Sequence, residues 1–519
     1  MLPAEAEAVV VGAGAAGSYF ARRLAEAGRE VLVIEAGPGW TEADLVSNQV
    51  WARRLRFGGE PVAVAGRHPF AFNFNAGWGL GGAALHHYGT WPRMHPADFE
   101  MAGRTGRGLD WPLSYDDLAP YYDRIQRLVG LSGDATAEIW RPPGEPYPLP
   151  PLTVLAQGRA IARGFAALDI PVAPAPMAIL SRPYDGRPAC LYDGWCDAGC
   201  PIGALYNPLV RDIPGARAAG ARFVTGTTVT RIEADRRRAG AVTCVDGDGE
   251  SRTVRTDLLV LAGSVVGNPA LMLNSTGPAH PDGLGNGSGL VGRYFMSHIL
   301  AGVYGLFPEP TDPHLGVSGA QLICHEGYPK MRQDGPFGSY QWLIAPTMKP
   351  NDLLGAATTR ADLFGTELET FMLKATRHIG SMLAFAEELP RRENRIELTR
   401  ERDRFGNRRA RVVHGYTDEA IALRALAETE GLNIFEAAGA RERWASGINQ
   451  AHMMGGTIMG EDASRSVCDG FGRVHELTNV FVAGSGLFPT SGAVNPTFTI
   501  YALAARTMDH LLSHWSDYV

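Results

Sequence analysis

The clearest hydrophobic pattern lies at the start of the chain, where an apolar strand, a glycine turn and a helix follow one another. Residues 8–12 read A-V-V-V-G, and the helix that follows has apolar positions at Phe20 and Leu24 and ends at Gly28. A second apolar strand spans residues 31–34. Apolar strands without alternation are typical of a parallel sheet covered on both faces, so this pattern predicts a β-α-β unit.

Two further regions also contain apolar strands that lead into glycine turns. Residues 221–263 predict two strands, a polar turn and a third strand that ends L-L-V-L-A-G, and residues 479–484 predict another strand before a helix over 497–511. Residues 300–415 alternate between apolar and polar positions and contain a hairpin-like pair around F-G-N, which favours an antiparallel sheet. The predicted fold class is α/β, a doubly wound domain with a second α+β domain built on an antiparallel sheet.

Three shorter segments connect these regions. Residues 70–95 are rich in glycine, asparagine, aromatics and histidine, have no clean period, and predict an extended loop that lies against a ligand. Residues 112–131 predict a helix, and the proline-rich residues 140–152 predict a connector.

Composition excludes several classes of protein. The chain has 519 residues, 45% of them hydrophobic and 20% charged, which excludes disordered and fibrous proteins. Its net charge of −7 argues against a nucleic-acid partner. The longest apolar run, residues 258–266, is far shorter than the ~20 residues of a membrane span. The acidic N-terminus lacks the pattern of a signal peptide, so we expect a cytoplasmic protein, or a periplasmic one if a signal-bearing partner exports it.

The first glycine turn has the pattern of a dinucleotide site. Gly12, Gly14 and Gly17 form G-x-G-x-x-G between a strand and a helix, and Glu35 ends the next strand. Such glycines allow a tight turn, approach of the backbone to a pyrophosphate and close packing of helix on strand, and the acid accepts hydrogen bonds from a ribose. The motif predicts a nucleotide cofactor but does not choose between NAD and FAD.

Three of the six cysteines lie close together. Cys190, Cys196 and Cys200 follow the spacing C-x5-C-x3-C-P. Thiolates are ligands of iron–sulfur clusters, and three ligands suit a 3Fe–4S cluster better than a 4Fe–4S cluster. Zinc would require a fourth ligand, a disulfide would leave one cysteine over, and three unligated thiols in a loop are the remaining alternative.

Three segments together resemble the glucose–methanol–choline family of flavoprotein oxidoreductases. They are V-V-V-G-A-G-A-A-G with V-L-V-I-E-A-G, the loop G-W-G-L-G-G-A-A-L-H-H, and the C-terminal N-V-F-V-A-G-S-G-L-F-P-T-S-G-A-V-N-P-T. The resemblance extends over the whole chain. It implies FAD as the cofactor, a substrate site over an antiparallel sheet, and oxidation of a CH–OH group by hydride transfer to the flavin.

The resemblance implies a catalytic pair, His452 in N-Q-A-H-M-M-G-G-T and Asn495 in V-N-P-T. Alcohol oxidation removes the hydroxyl proton while hydride leaves the carbon. A neutral imidazole can accept that proton, and a neutral amide can hold the substrate oxygen without adding charge.

The resemblance also implies residues that contact the cofactor. Some relatives bond the flavin covalently to a histidine at the position of His86 and others do not, so the attachment stays open. The implied contacts on the flavin or pyrophosphate, adenine and ribityl sides are Gly81, Gly82, His86, Val229, Ala262, Gly263, Gly484 and Ser485.

Within the family, the cysteine stretch resembles catalytic subunits of bacterial FAD-dependent sugar dehydrogenases, which carry a 3Fe–4S cluster, and also aminoglycoside-pathway alcohol dehydrogenases. We therefore expect a dehydrogenase for a sugar, glycoside or polyol that passes electrons to an external acceptor such as a cytochrome or quinone. The chain has no C-x-x-C-H haem motif, so a haem would come from a partner, such as a cytochrome or a small signal-bearing subunit. An oxidase that uses O₂, a lyase on the same fold and a non-catalytic flavin-binding subunit are the alternatives.

These expectations divide the chain into three parts. Residues 1–90, 205–298 and 441–519 are predicted to form a discontinuous FAD-binding domain. Residues 91–204 form a connecting segment with the cysteine loop, and residues 299–440 form the substrate domain.

Overall fold

The computed structural model describes residues 2–56, 58–59, 61–70 and 76–519, in which helices flank three β-sheets. Residues 71–75, part of the loop expected over 70–95, lie outside the described residues. The strands are β1 Glu5–Val11, β2 Val31–Ile34, β3 Ala63–Ala65, β4 Ala173–Pro174, β5 Arg222–Val224, β6 Thr228–Ala234, β7 Ala239–Val245, β8 Ser251–Leu261, β9 Met296–Leu306, β10 Leu322–Cys324, β11 Tyr340–Ile344, β12 Ile379–Ala386, β13 Arg395–Arg402, β14 Arg408–Val413, β15 Glu442–Ala445, β16 Asn449–Met454 and β17 Val480–Val482.

The helices vary from single turns to five turns. They are α1 Ala15–Glu26, α2 Gln49–Arg56, α3 Pro96–Phe99, α4 Met101–Thr105, α5 Tyr115–Val129, α6 Ala156–Ala167, α7 Asp212–Ala218, α8 Ser264–Asn274, α9 Pro350–Ala357, α10 Thr366–His378, α11 Asp418–Ala437, α12 Thr497–Ser513 and α13 Trp515–Tyr518. Short 3-10 turns cover Glu42–Asp44, Gly82–Leu85, Cys196–Ala198 and Ser485–Leu487. Among the described residues, no helix is long and apolar enough to cross a membrane.

The first sheet confirms the predicted β-α-β unit and doubly wound domain. Strands β5, β2, β1 and β8 lie side by side in parallel, and β6 and β7 continue the sheet from β8 as an antiparallel meander. Residues 251–255 of β8 pair with β7, while residues 259–261 pair in parallel with β17. The first and last segments of the chain therefore share one sheet, as their common pattern of apolar strands predicts.

The second sheet confirms the predicted antiparallel platform. Its order is β15, β9, β12, β11, β10 and β4, and β16 pairs with the other end of β9. Helices α6 and α11 cover one face through an apolar core that contains Ile161, Trp342 and Phe435. The opposite face, which includes Leu343 and Phe385, packs in a core with Met177 and Cys196 of the connecting segment. Strands β15 and β16 lie beyond the expected end of the substrate domain at 440, and the domain division itself stays a prediction.

The hairpin around F-G-N forms as β13 and β14. The prediction that it belongs to the antiparallel sheet is wrong. The hairpin builds a third sheet with β3, which pairs in parallel with residues 411–413. The hairpin has one apolar face, and packing of Ile396 and Val412 against Phe295 and Val265 buries that face over the first domain.

The predicted helix over 112–131 forms as α5. Ser114 is its N-cap, because its hydroxyl accepts the N–H of Asp117 at 3.2 Å and the Asp117 carboxylate accepts the N–H of Ser114 at 2.8 Å. This capping box delays the start of the helix to Tyr115.

Candidate active site

The glycine turn after β1 has the shape that a dinucleotide requires. A Cβ on Gly12 would lie 2.6 Å from the carbonyl oxygen of Ala262, and one on Gly17 would lie 2.1 Å from the carbonyl oxygen of Gly12. A Cβ on Gly14 would have no neighbour within 4 Å. Packing therefore requires Gly12 and Gly17, whereas Gly14 faces open space at the start of α1, where a pyrophosphate binds in this type of turn.

A second glycine turn lies against the first. The N–H of Gly81 donates to the carbonyl oxygen of Ala13 at 2.9 Å, and a Cβ on Gly82 would lie 2.9 Å from the Cα of Gly14. Gly81 and Gly82 also have positive φ angles of 92° and 53°. The structure thus brings the two predicted cofactor segments together, and their glycines form one cradle.

Glu35 holds this cradle from below. Its buried carboxylate accepts the backbone N–H groups of Ala13 at 2.9 Å, Gly37 at 2.9 Å and Gly79 at 3.1 Å. The carboxylate therefore fixes both turns through hydrogen bonds within the chain. Its contact with a ribose stays a prediction, for which one lone pair of the carboxylate, on Oε2, remains.

His86 and His87 differ in their surroundings. His86 is buried and follows the 3-10 turn Gly82–Leu85. His87 lies between the carbonyl oxygen of Tyr206, 2.7 Å from Nε2, and the N–H of Gly89, which donates to Nδ1 at 3.1 Å. Burial lowers the pKa of His87 to about 4. His87 is thus a neutral structural residue, and covalent attachment of a flavin to His86 stays a prediction.

The remaining predicted cofactor residues lie at two places. Ala262 donates its N–H to Val11 at 2.8 Å, which sets the 262–263 turn beside Gly12. Val229 stands near the start of β6, two residues after Thr227, whose N–H donates to the backbone oxygen of Glu35.

The turn at Gly484, with a φ of 113°, presents Ser485 to a neighbouring segment. The Ser485 hydroxyl donates to the carbonyl oxygen of Met453 at 2.8 Å, and its own carbonyl accepts the N–H of Gly455 at 3.0 Å. This turn is therefore joined directly to the strand that carries His452.

The predicted catalytic residues meet between the two domains. Asn495 Nδ2 lies 3.4 Å from His452 Nε2, although the residues belong to different segments. His452 is the extra residue of a bulge in β16 and has a φ of 60°. A bulge re-aims one side chain of a strand, and a left-handed conformation outside glycine costs free energy that is tolerated mainly at functional sites.

The His452 imidazole is neutral. It is stacked on Phe385, with ring centroids 5.1 Å apart and an angle of 24° between the planes. Burial, and then the neighbouring His298, hold the pKa of His452 well below its usual value. An unprotonated imidazole is the form that can act as a base.

His298 on β9 was not found by sequence reasoning, and it determines which nitrogen of His452 is basic. Its Nε2 faces the carbonyl oxygens of Gly492 at 3.0 Å and Ser491 at 3.4 Å, which can only accept. Nε2 of His298 therefore carries the proton, and its Nδ1 accepts from Nδ1 of His452 across 2.9 Å. This leaves the lone pair of His452 on Nε2, beside Asn495.

The three clustered cysteines line one loop. Each sulfur accepts a backbone N–H: Cys190 from Tyr192 at 3.3 Å, Cys196 from Ser318 at 3.4 Å and Cys200 from Leu205 at 3.3 Å. Burial, with a contribution from Cys200, raises the pKa of Cys190 to about 11. Throughout the described part of the chain, no three histidine, cysteine or acidic side chains are grouped closely enough to hold a metal ion.

We expect four buried histidines to destabilise the protein below pH 6.5, because burial lowers the pKa of His87, His95 and His298 to about 4 and of His325 to about 3. Unfolded histidines bind protons below about 6.5, which the folded protein does not, so the free energy of unfolding falls as the pH falls. Each pKa unit corresponds to about 1.4 kcal/mol. Two groups oppose this trend: His414, paired with Glu388, has a raised pKa, and burial raises the pKa of Glu138 to about 7.

Urea unfolding between pH 7.5 and pH 5 measures this dependence. His325→Gln removes one of the titrating groups, and we expect a shallower slope for this variant. A slope for His325→Gln equal to that of the wild type would contradict the assignment of His325 as a neutral, buried histidine.

Comparison with known proteins places two family models on the chain. Both are models of the GMC oxidoreductase family, and they match residues 6–300 and residues 390–504. Among curated proteins, the chain is 31% identical to 2-methyl-1,2-propanediol dehydrogenase of Mycolicibacterium austroafricanum, over 99% of this chain and 96% of the relative. It is 29% identical to the fructose dehydrogenase large subunit of Gluconobacter japonicus, over 98% of both chains. It is 30% identical to paromamine 6'-oxidase of Streptomyces fradiae, over 96% of this chain and 90% of the relative.

Solved structures share the fold at lower identity. Pyridoxine 4-oxidase from Mesorbium loti superposes with a TM-score of 0.69 at 19% identity, over 98% of this chain and all of the other. A formate oxidase superposes with a TM-score of 0.71 at 15% identity over the full length of both chains.

Proposed function

The chain belongs to the GMC oxidoreductase family, and on that premise we propose that it is a dehydrogenase for a sugar, glycoside or polyol that delivers its electrons to an external acceptor through an iron–sulfur cluster. As a member of this family, the chain is an FAD-dependent oxidoreductase that acts on alcohol or sugar hydroxyl groups. The double glycine cradle around Gly14 and Gly82 fits FAD, since no side chain fills it.

The pair His452 and Asn495 carries the proposed reaction. Their nitrogens converge, so one substrate oxygen can contact both. Nε2 of His452 accepts the hydroxyl proton, and Nδ2 of Asn495 donates a hydrogen bond to the oxygen as negative charge develops there. When bound, FAD would accept the hydride from the carbon that carries this oxygen. The Phe385 ring covers one face of the imidazole.

Relatives support the substrate class. They include a fructose dehydrogenase subunit, a paromamine oxidase and a diol dehydrogenase, whose names describe a sugar, an aminoglycoside and a diol. All three names describe hydroxylated small molecules. We therefore infer a hydroxyl-rich substrate.

Anaerobic flavin bleaching tests the reaction. We expect at least one compound from a panel of sugars, glycosides and polyols to bleach the flavin stoichiometrically. A lyase would convert its substrate without bleaching. An oxidase would reoxidise its flavin with air at the full turnover rate and form hydrogen peroxide, whereas the proposed dehydrogenase requires a dye or a cytochrome.

The cysteine loop supports the proposed electron exit. Its three sulfurs accept backbone N–H groups, which oppose the effect of burial on the Cys190 pKa and are typical neighbours of cluster ligands. Three cysteine sulfurs within one loop are the donor type that iron–sulfur clusters use, and Cys190, Cys196 and Cys200 would hold the cluster. When bound, a 3Fe–4S cluster accepts one electron at a time.

We expect low-temperature electron paramagnetic resonance of the anaerobically purified protein to show the signal of an oxidised 3Fe–4S cluster. Iron analysis should find about three iron atoms per chain. Cys196→Ala should lose the signal and the iron. Cys324→Ala, which changes a buried cysteine of β10 outside the loop, should keep both. Iron-free wild-type protein would contradict the proposed exit route and favour the oxidase.

A further inference from the structure

We propose that Gln341 is a positioning residue of the reaction, which holds the donor end of the Asn495 amide toward the substrate oxygen. The inference rests on the proposed function of Asn495. Gln341 is fully buried on β11, and its cross-strand neighbour is Phe385, the residue stacked on His452. The sheet therefore places the Gln341 amide beside the catalytic pair.

Gln341 connects Asn495 to two further histidines. Its Nε2 donates to Oδ1 of Asn495 at 3.0 Å, and its Oε1 accepts from Nε2 of His325 at 3.1 Å. Nδ1 of His325 lies 3.1 Å from Nε2 of His95. With the contacts of the catalytic pair, these bonds form one continuous line, which we call the amide–imidazole chain. Its members are His95, His325, Gln341, Asn495, His452 and His298, and it ends at the carbonyl oxygen of Gly492.

The hydrogen bonds of the amide–imidazole chain can run in only one direction. The carbonyl oxygen of Gly492 cannot donate, so His298 donates to it from Nε2 and accepts from His452 at Nδ1. His452 then accepts from Asn495 at Nε2, so Oδ1 of Asn495 must point away and accept from Gln341. Every member donates to the next, from His95 to Gly492.

The carbonyl oxygen of Gly492, at the end of the amide–imidazole chain, excludes the reverse direction of these hydrogen bonds. If Asn495 and Gln341 were both turned over, Nε2 of His452 would have to donate and Nδ1 of His298 would carry the proton. The lone pair on Nε2 of His298 would then face the carbonyl oxygen of Gly492 at 3.0 Å, which is repulsive. Since a backbone carbonyl cannot turn over as an amide side chain can, it fixes the direction of all six members.

Bound substrate changes these contacts, because its hydroxyl donates to Nε2 of His452 and that nitrogen then no longer holds the Asn495 amide. Gln341 then fixes the direction of Asn495 through its bond to Oδ1, and loss of this donor would release the amide. The amide could then turn through half a rotation and present Oδ1 to the substrate oxygen, where the reaction develops negative charge. An acceptor at that position opposes the chemical step and leaves substrate binding largely unchanged. The effect should therefore fall on the rate constant of flavin reduction rather than on the substrate concentration at half-saturation.

Gln341→Glu tests this reasoning, because a carboxylate cannot donate to Asn495 whereas a protonated carboxyl group can. We expect flavin reduction at about pH 8 to be slower than wild type by about 10²-fold, the usual cost of one lost donor. At about pH 5.5 the rate should recover by at least about tenfold, since burial raises the pKa of a carboxyl group into this range. The wild-type rate should stay flat, because its base is neutral throughout.

Two variants control for other effects. Gln341→Leu removes the donor without adding a titrating group, and it should lower the rate by about tenfold or more at every pH with little change in half-saturation. Gln157→Glu makes the same exchange at another buried glutamine, which contacts Ser381 and Pro346, and it should keep the flat profile of the wild type.

Two results would overturn the inference: a flat pH profile for Gln341→Glu, or a wild-type reduction rate in Gln341→Leu. The leucine variant decides the question if the glutamate variant does not fold. Failure of the proposed function would look different, since wild-type flavin would then not be reduced by any alcohol or sugar.

Discussion

We expect His452→Ala to retain FAD but to reduce it with substrate about 10²–10⁴ times more slowly than the wild type, the usual contribution of a positioned general base. The alanine removes the nitrogen that accepts the hydroxyl proton, so the alcohol must lose its proton to water. FAD should stay bound, because the cradle is formed by backbone at Gly14 and Gly82. Anaerobic stopped-flow absorbance of the flavin measures the rate constant.

His280→Ala is the matched control for this variant. His280 is also a buried histidine that contacts a backbone carbonyl, that of Asp235 at 2.9 Å, but it lies at the far end of the first sheet. We expect this variant to reduce its flavin at the wild-type rate. A His452→Ala protein that reduces flavin within a few-fold of wild type would rule out His452 as the base.

The second large effect concerns the cofactor. Gly14→Ala should fold normally but bind FAD at least about tenfold more weakly, a loss of about 1.4 kcal/mol or more. The added methyl group meets no protein atom within 4 Å, so it costs the apoprotein little and occupies only the space that the pyrophosphate needs. The flavin-to-protein absorbance ratio and a fluorescence titration of apoprotein with FAD measure the effect.

Gly17→Ala separates cofactor binding from folding. Its methyl group would lie 2.1 Å from the carbonyl oxygen of Gly12, so the apoprotein itself should be destabilised. We therefore expect a lower unfolding midpoint without FAD for Gly17→Ala and an unchanged one for Gly14→Ala. FAD binding by Gly14→Ala with wild-type affinity would mean that the cofactor does not pass over this turn.

Local patterns in the sequence were sufficient for the segments that repeat family motifs. The strand, glycine turn and helix around Gly12 form as predicted, and His452 and Asn495 meet as the resemblance implies. In each case the information lies in a short run of residues, because the turn or strand that positions the side chain is encoded beside it.

The remaining parts of the site depend on pairing between distant segments. His298 and Gln341 each stand in an apolar strand without any motif, and only the register of β9, β12 and β11 brings them to one face. The hairpin of β13 and β14 was predicted locally, but its partner β3 lies more than three hundred residues earlier. Neither relationship leaves a periodic signal in the sequence.

The last strand of the first sheet has a consequence for how the protein is made. β17 pairs with the part of β8 that β7 leaves unpaired. The segment that follows β17 carries Asn495. β8 ends at Leu261 and β17 begins at Val480, so during synthesis β8 has an open edge until the long intervening segment has been made. Open edges promote aggregation, so chaperone holding during synthesis should matter for yield. Any chain terminated before Val480 would lack both β17 and the proposed catalytic amide of Asn495, and we expect it to be inactive.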